Sequence, residues 1–197
     1  MNRELLCHLL AKRAGETITQ ELAGALVREA FPDKSIDLSQ FQPAQCGRLV
    51  FHVERLAGIV AELHPLHELQ WLETEKYRHG QGLNLDYAYF IEAEHDGRLL
   101  QFTARAAGRL VGNMRMYLYR DLHTGHLAAK EDTMYLMPDY RAGRNSLRFL
   151  QYLERGLQTA GVRQITTDSK VSNPSVARLN EYMGFALVAN QYVKFFE

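Results

Sequence analysis

The chain lacks the features that would assign it to several specialised classes of protein. It has only two cysteines, Cys7 and Cys46, in 197 residues, and their separation fits no zinc or redox motif. No apolar run approaches the roughly 20 residues of a membrane span, and the segment after Met1 has no apolar core of signal-peptide length. We therefore expect reduced structural thiols, a cytoplasmic location and no membrane partner.

The chain also has no excess charge of either sign. Lys+Arg and Asp+Glu both number 23, so the formal net charge is zero. A general nucleic-acid binder carries a basic surplus, so nucleic acid is disfavoured as a partner. The hydrophobic content of 46% is enough for a real core, and the length fits one domain with an extension.

The most informative stretch reads as a strand, a polar turn and a helix. Met134 to Met137 form an apolar run that Pro138 closes, because proline cannot donate to a strand ladder. Leucines then recur at helical spacing from about Asn145 to Gly161. A βα unit is therefore predicted here.

The turn between that strand and helix is suited to an anion. Backbone N–H groups at a helix N-terminus point outward without partners. Gly143 lets the backbone approach a ligand closely, and arginines supply fork-shaped donors for phosphate oxygens. The alternative is an ordinary turn with solvated arginines. The candidate residues are Arg141, Ala142, Gly143, Arg144, Asn145 and Ser146.

This arrangement resembles the coenzyme A pyrophosphate loop of the GNAT superfamily of N-acetyltransferases. The lead-in at residues 137–141 (MPDYR) matches the family pattern. The loop departs from the pattern because Arg144 stands where the first glycine belongs and Ser146 stands where the second small residue belongs.

Three further stretches resemble the same family. The segment at residues 107–112 is similar to its second hairpin, and residues 128–144 look most like the small GNAT proteins of phages and prophages. Near the end of the chain, Val176 and Asn180 replace the family's alanine and tyrosine. Four residues are in register with the family there: Asn173, Leu179, Gly184 and Phe185.

The order of predicted elements is also that of the GNAT fold. We predict an α/β (α+β) GNAT fold over residues 47–197, with a mixed, mostly antiparallel central sheet and helices on both faces. Residues 1–46 are predicted to be a helical extension, broken at Gly15, followed by a linker. Beyond it we predict strands at 48–56, 87–94, 99–105, 110–119, 128–137 and 164–171, helices at 65–77, 145–160 and 173–182, and a hairpin at 185–196.

The resemblance implies an N-acyltransferase that moves acetyl from acetyl-CoA to an amine by direct attack in a ternary complex. The turn would hold the coenzyme A diphosphate, and Asn173 lies at a matching cofactor position. The backbone of Tyr135, Leu136 and Met137 would pair with the pantetheine arm, opposite residues 166–169. No metal is implied.

The reaction also needs a base and an acid. We favour Glu131 or Asp132 as the base, and only one can face the cleft because successive strand residues point to opposite faces. A solvated acidic pair is the alternative. Asn180 at the family's acid position cannot protonate a thiolate, so either another tyrosine serves or water protonates the thiolate. Tyr182 is the candidate tyrosine, although it lies about 200° round the helix from Asn180 and is expected to point elsewhere.

Three questions stay open at this stage. The altered loop and the missing tyrosine also fit a catalytically inactive GNAT-fold binding or regulatory module. The acceptor is a small-molecule or protein amine, and the terminal hairpin can pair across a homodimer. His64 and His67 lie one turn apart, but no third metal ligand follows, so we favour a half-exposed helix start with Glu68 at its positive end.

Overall fold

The computed structural model describes residues 3–31, 33–75 and 82–194. Two helices come first, α1 (Arg3–Lys12) and α2 (Gln20–Ala30), as the sequence predicts. The Thr19 hydroxyl accepts a hydrogen bond from the Leu22 amide at 3.2 Å and so caps α2. No helix in these described ranges is long and apolar enough to cross a membrane.

Six strands form one mixed sheet whose spatial order follows the sequence. Neighbouring strands are antiparallel as far as the fifth, and the fifth and sixth are parallel. Their bounds are β1 (Ala44–Cys46), β2 (Leu49–Val53), β3 (Leu99–Ala106), β4 (Arg109–Arg120), β5 (Leu127–Leu136) and β6 (Gln164–Thr166). β1 lies inside the predicted linker, so that part of the prediction is wrong.

Helices cover both faces of the sheet, as the predicted fold class requires. On one face Leu63 and Phe90 pack in one apolar cluster with Leu99 of β3. On the other face Phe149 and Leu153 pack with the sheet in a larger cluster. The helices are α3 (Leu56–Thr74) and α4 (Tyr87–His95) on the first face, and α5 (Asn145–Thr159) and α6 (Pro174–Tyr182) on the second.

Helix α3 begins nine residues earlier than predicted. Leu56, Ile59, Leu63 and Leu66 recur at helical spacing and are buried. Their burial offsets the cost of Pro65 inside the helix, which is about 3 kcal/mol. His64 and Glu68 are therefore mid-helix residues, and the predicted half-exposed helix start is wrong. The predicted end at residues 76–77 lies outside the described ranges.

The predicted strand at residues 87–94 is the helix α4. The Asp86 carboxylate accepts a hydrogen bond from the Tyr89 amide at 3.0 Å and caps the first turn. Phe90 and Ala93, one turn apart, are buried against α3 and the sheet. Tertiary burial thus outweighs the strand preference of the tyrosine, phenylalanine and isoleucine in this run.

The C-terminal region departs from the prediction in two ways. β6 ends at Thr166, five residues before the predicted end. Residues 185–194 form no strand, so the predicted hairpin is wrong over that range, and residues 195–196 lie outside the described part. Large apolar side chains are exposed there: Leu187 (83%), Val188 (87%) and Tyr192 (91%).

Gly156 allows α5 to lie close to the sheet, so we expect Gly156→Ala to be destabilising. An added Cβ would lie 2.6 Å from Phe102 Cε1, and Phe102 is fully buried and cannot move aside. We expect a loss of about 1–3 kcal/mol in unfolding free energy. Gly58→Ala in α3 meets no atom within 4 Å and should gain up to about 1 kcal/mol. Urea unfolding of both variants measures the difference, and equal shifts would contradict the close packing of α5.

Candidate functional site

β5 contains an extra residue near its middle. Across the β4–β5 pair, Met116 lies opposite Glu131 and Arg115 lies opposite Thr133, so Asp132 has no partner in the register. This is a β-bulge, which bends a strand and redirects its side chains.

β5 separates from β6 at the bulge. The parallel pairing comprises three pairs and ends at Lys130 opposite Thr166, one residue before Glu131. Beyond this point a cavity of about 790 Å³ opens between β5, the turn before α5, and α6. Its lining includes Met134, Tyr135, Leu136, Arg141, Arg144, Ser146, Lys170, Asn173 and Leu179. We call it the large cleft.

The backbone of β5 offers hydrogen-bonding groups to this cleft at alternate residues. The Met137 amide donates to the Val111 carbonyl at 2.9 Å and therefore faces β4. Because alternate residues of a strand direct their N–H and C=O groups to opposite edges, Tyr135 also faces β4, whereas Met134 and Leu136 face the cleft. The Met137 amide, predicted to pair with the pantetheine arm, is therefore occupied by β4, and the groups that face the cleft are those of Leu136 and of Met134, which was not predicted.

The turn before α5 leaves several amides without partners. Gly143 (φ 69°) and Arg144 (φ 68°) both adopt the left-handed conformation, and no side chain caps the helix. Within the described residues, the amides of Gly143, Ser146 and Leu147 donate no hydrogen bond. A helix N-terminus of this kind attracts an anion. An arginine in the left-handed conformation is strained by about 1–2 kcal/mol. This explains why glycine suits the position that Arg144 occupies.

The residues of the predicted turn have different roles in the structure. Arg141 forms two hydrogen bonds with Glu73, at 2.6 and 2.8 Å, and its Nε donates to the Leu136 carbonyl at 2.6 Å. Arg141 therefore ties α3 to the turn, although it still lines the large cleft. Ala142 and Arg144 are exposed. Asn145 Nδ2 donates to the Tyr140 carbonyl at 3.0 Å.

The two acidic candidates of β5 lie in different environments, as alternation predicts. Asp132 Oδ2 accepts a hydrogen bond from Arg115 Nε at 2.7 Å and forms an ion pair with Arg115 Nη2 at 2.5 Å. Glu131 lies on the β6 side. Burial raises its pKa from 4.5 to about 7, the Asp168 charge acts in the same direction, and the Thr167 hydroxyl opposes both.

Helix α6 also contributes Asn180, which contacts the segment that follows β6. Asn180 Nδ2 donates to Thr167 Oγ1 at 2.8 Å, and its buried Oδ1 has no hydrogen-bond partner in the described chain. Tyr182 is 71% exposed and, like Glu131, is not among the residues that line the large cleft, so its acid role stays a prediction. Asn173 does line the cleft, beside the start of α6.

A second cavity, of about 390 Å³, lies directly beyond the bulge. We call it the small cavity. It adjoins the large cleft along the same strand, because Asp132 and Thr133 line the small cavity and residues 134–136 line the large cleft. The other lining residues are His67, Gln70, Trp71, Glu75, Gly82, Leu83, Asn84, Leu85, Phe90 and Arg115.

Sequence reasoning missed Arg115, Glu73 and the burial of His67. Arg115 had a visible signal, since it is a charge in the middle of a mostly apolar strand; Glu73 had none. His67 Nδ1 lies 2.9 Å from the Tyr87 hydroxyl, and burial lowers the His67 pKa to about 4. Within the described ranges no group of three or more potential metal ligands occurs.

No family model and no curated protein matches this chain, but solved structures do. One is a ribosomal-protein-alanine N-acetyltransferase from Brucella melitensis biovar Abortus 2308, with TM-score 0.59 and 19% identity over 75% of this chain and 99% of that one. Another is the aminoglycoside acetyltransferase meta-AAC0020 from an uncultured soil metagenomic sample, in complex with sisomicin (TM-score 0.57, 9% identity, 76% and 95% covered).

A third is AAC(6')-Iy in complex with the bisubstrate analog CoA-S-monomethyl-acetylneamine (TM-score 0.55, 16% identity, 76% and 97% covered). At these identities the likeness establishes the architecture. The chain has the GNAT fold.

The raised pKa of Glu131 predicts a pH-dependent effect of Glu131→Gln on stability. Below about pH 4.5 the carboxyl is protonated in both states, so no penalty arises. As pH rises towards 7 the unfolded state ionises first, and the wild type loses stability that the variant keeps. The difference in unfolding free energy, from urea titrations at pH 4 to 8, should rise between about 4.5 and 7 and then level off. A difference independent of pH would contradict this environment for Glu131.

Proposed function

We propose that the chain is an acetyl-CoA-dependent N-acyltransferase, which transfers acetyl to an amine by direct attack in a ternary complex. One observation carries the proposal. β5 separates from β6 after Lys130, and the helix that follows β5 begins without a side-chain cap, so a free strand edge and an anion site face the same cleft. Residues 47–197 form the transferase domain in this proposal, and residues 1–46 form the extension.

The residues present fit coenzyme A. The amides of Gly143, Ser146 and Leu147 suit a diphosphate, and exposed Arg144 adds a cation. The N–H groups of Met134 and Leu136 and the Met134 carbonyl suit the amides of a pantetheine arm, whereas the Leu136 carbonyl already accepts from Arg141 Nε. The analog bound to AAC(6')-Iy, which contains coenzyme A, supports the same cofactor here.

The bound co-substrate supplies an activated acetyl thioester, so the new C–N bond forms as the C–S bond breaks. An N–H of Met134 or Leu136 would donate to the developing oxyanion, and such a donor is worth about 3 kcal/mol. Both groups are fixed by the β4–β5 pairing, so they need no reorganisation during the reaction.

The two carboxyls divide the proton transfers in this proposal. Asp132 takes one proton from the incoming ammonium, whose ordinary pKa is about 10.4. Glu131, half-protonated near neutral pH because its pKa is about 7, protonates the departing thiolate. The amide nitrogen releases its second proton to water, and both carboxyls return to their starting states by exchange with water.

Binding of coenzyme A should depend on the charge at the turn. Arg144→Glu places a negative charge beside the proposed diphosphate and should weaken coenzyme A binding at least tenfold in isothermal titration. Arg155→Glu makes the same charge change at an exposed position further along α5 and should change the affinity less than twofold.

Two results would contradict the cofactor proposal: no binding of coenzyme A by the wild type, or an equal loss of affinity in both variants.

Thiol release from acetyl-CoA, measured with amine, aminoacyl and protein acceptors, separates an enzyme from the alternative, an inactive binding or regulatory module. Asn180 at the family's acid position is the observation that favours the module, and turnover with any acceptor excludes it. The narrower likeness to phage and prophage proteins remains a prediction.

The proposed roles of Asp132 and Glu131 predict different kinetic defects. Asp132→Asn should lower kcat by about 10²–10⁴-fold, because loss of a general base has that effect. Glu131→Gln should lower kcat less and flatten its dependence on pH near 7. Glu181→Gln, an exposed carboxyl on α6, serves as the control and should match the wild type. Full activity of Asp132→Asn would remove Asp132 from the mechanism.

A further inference from the structure

The end of helix α3 lies at the border between the two cavities. We call residues 70–75 the border segment. Its residues line one cavity or the other: Glu73 and Thr74 line the large cleft, and Gln70, Trp71 and Glu75 line the small cavity. Because these residues follow one another along the chain, the position of the border segment shapes both cavities.

Two carboxylates of the border segment bind cations of the large cleft. Glu73 accepts two hydrogen bonds from the Arg141 guanidinium, at 2.6 and 2.8 Å, and Glu75 Oε1 lies 3.2 Å from Lys170 Nζ. The four side chains are between 14% and 38% exposed, so water and salt screen these pairs less than fully exposed ones. The pairs join the border segment to the chain after β5 and to the chain after β6.

The proposed cofactor needs the groups that these pairs occupy. Among the described residues that line the large cleft, the cations are Arg141, Arg144 and Lys170, and two of the three bind carboxylates of the border segment. Arg141 Nε also donates to the Leu136 carbonyl at 2.6 Å, on the free edge of β5. The border segment therefore supplies negative charge where a diphosphate would bring its own.

The remaining tie of the border segment is of a different kind. The Thr133 hydroxyl, on β5, donates a hydrogen bond to Gln70 Oε1. Neither group is charged, so an anion in the large cleft does not compete for it. Further back, Leu63 and Leu66 hold α3 in the apolar cluster of its face. A competing anion thus acts on the last turn alone.

We propose that Glu73 and Glu75 form an autoinhibitory latch, which holds Arg141 and Lys170 in the free protein and is displaced when coenzyme A binds. This inference rests on the proposed function and adds a regulation of its cofactor site. The phosphate groups take over the two cations, so part of the binding free energy is spent on breaking the latch. The displaced turn changes the wall of the small cavity, and the acceptor side of the site thereby responds to the cofactor.

The first test is the affinity for coenzyme A in isothermal titration. Glu73→Gln and Glu75→Gln each remove one competing carboxylate and should each bind coenzyme A at least threefold more tightly than the wild type. Glu68→Gln is the matched control. It makes the same charge change at an exposed position of α3, where the partner is His64, and should leave the affinity unchanged. Unchanged affinity in both latch variants would overturn the inference.

A double-mutant cycle separates the latch from a general effect of charge. In the Arg141→Gln background, Glu73→Gln should no longer increase the affinity for coenzyme A, because no ion pair is left to break. An equal gain in both backgrounds would show a general charge effect and overturn the latch. Weaker binding by Glu73→Gln would show that Glu73 positions Arg141 for the cofactor, which also overturns it.

Trp71 reports on the position of the border segment. It is the one tryptophan of the chain and lies in the turn that the latch holds. Coenzyme A should shift the Trp71 emission of the wild type. The double variant Glu73→Gln/Glu75→Gln should show the shifted emission without any ligand. Coenzyme A that binds and leaves the emission unchanged would show that the turn keeps its place, and would overturn the latch.

Inorganic pyrophosphate separates the latch from the proposed cofactor, because it has the diphosphate without the thioester arm. If pyrophosphate binds more tightly to the latch variants while coenzyme A does not bind, the latch is supported and the cofactor is refuted. If coenzyme A binds the wild type and both latch variants equally, the cofactor is supported and the latch is refuted. Binding of neither anion to any of these proteins refutes both.

Discussion

The site depends on the separation of two parallel strands. Three residue pairs join β5 to β6, and the bulge at Asp132 follows immediately. A bulge bends its strand and increases the local twist, so continued pairing would require β6 to follow the bend. β6 instead ends at Thr166, and the edge of β5 is left facing a cleft. The rest of the site is arranged along that edge.

The same bulge gives two neighbouring carboxyls different chemistry. Asp132 is held by a buried arginine next to the small cavity, whereas Glu131 is half-buried near Thr167 and has a pKa of about 7. One extra residue in a strand thus places a carboxyl paired with an arginine next to a carboxyl whose pKa is raised. Catalytic sites use such pairs when one must accept a proton and the other must donate one.

Sequence reasoning predicted the parts of the fold that local chemistry fixes. Pro138 closes β5, Thr19 caps α2, and the leucine spacing predicts α5 correctly. The errors arise where tertiary contacts overrule local preference, as in α4, which has strand-forming residues but buries Phe90 and Ala93 one turn apart.

The candidate site was less predictable for a related reason. The sequence around Asp132 contains no sign of a bulge, because a bulge is a property of two paired strands. Arg141 was predicted to bind phosphate because of its position in the turn. In the structure its guanidinium donates a hydrogen bond to Glu73, which is 68 residues away in sequence. The burial of Asn113 and His67 also depends on packing between distant segments. Such long-range partners are set by the fold and have no local signature.

Helix α3 touches both parts of the candidate site. Glu73 anchors it to the turn through Arg141, and His67, less than two turns earlier, forms part of the wall of the small cavity. A rigid displacement of this helix therefore moves both walls at once. The positions of both walls thus depend on one helix.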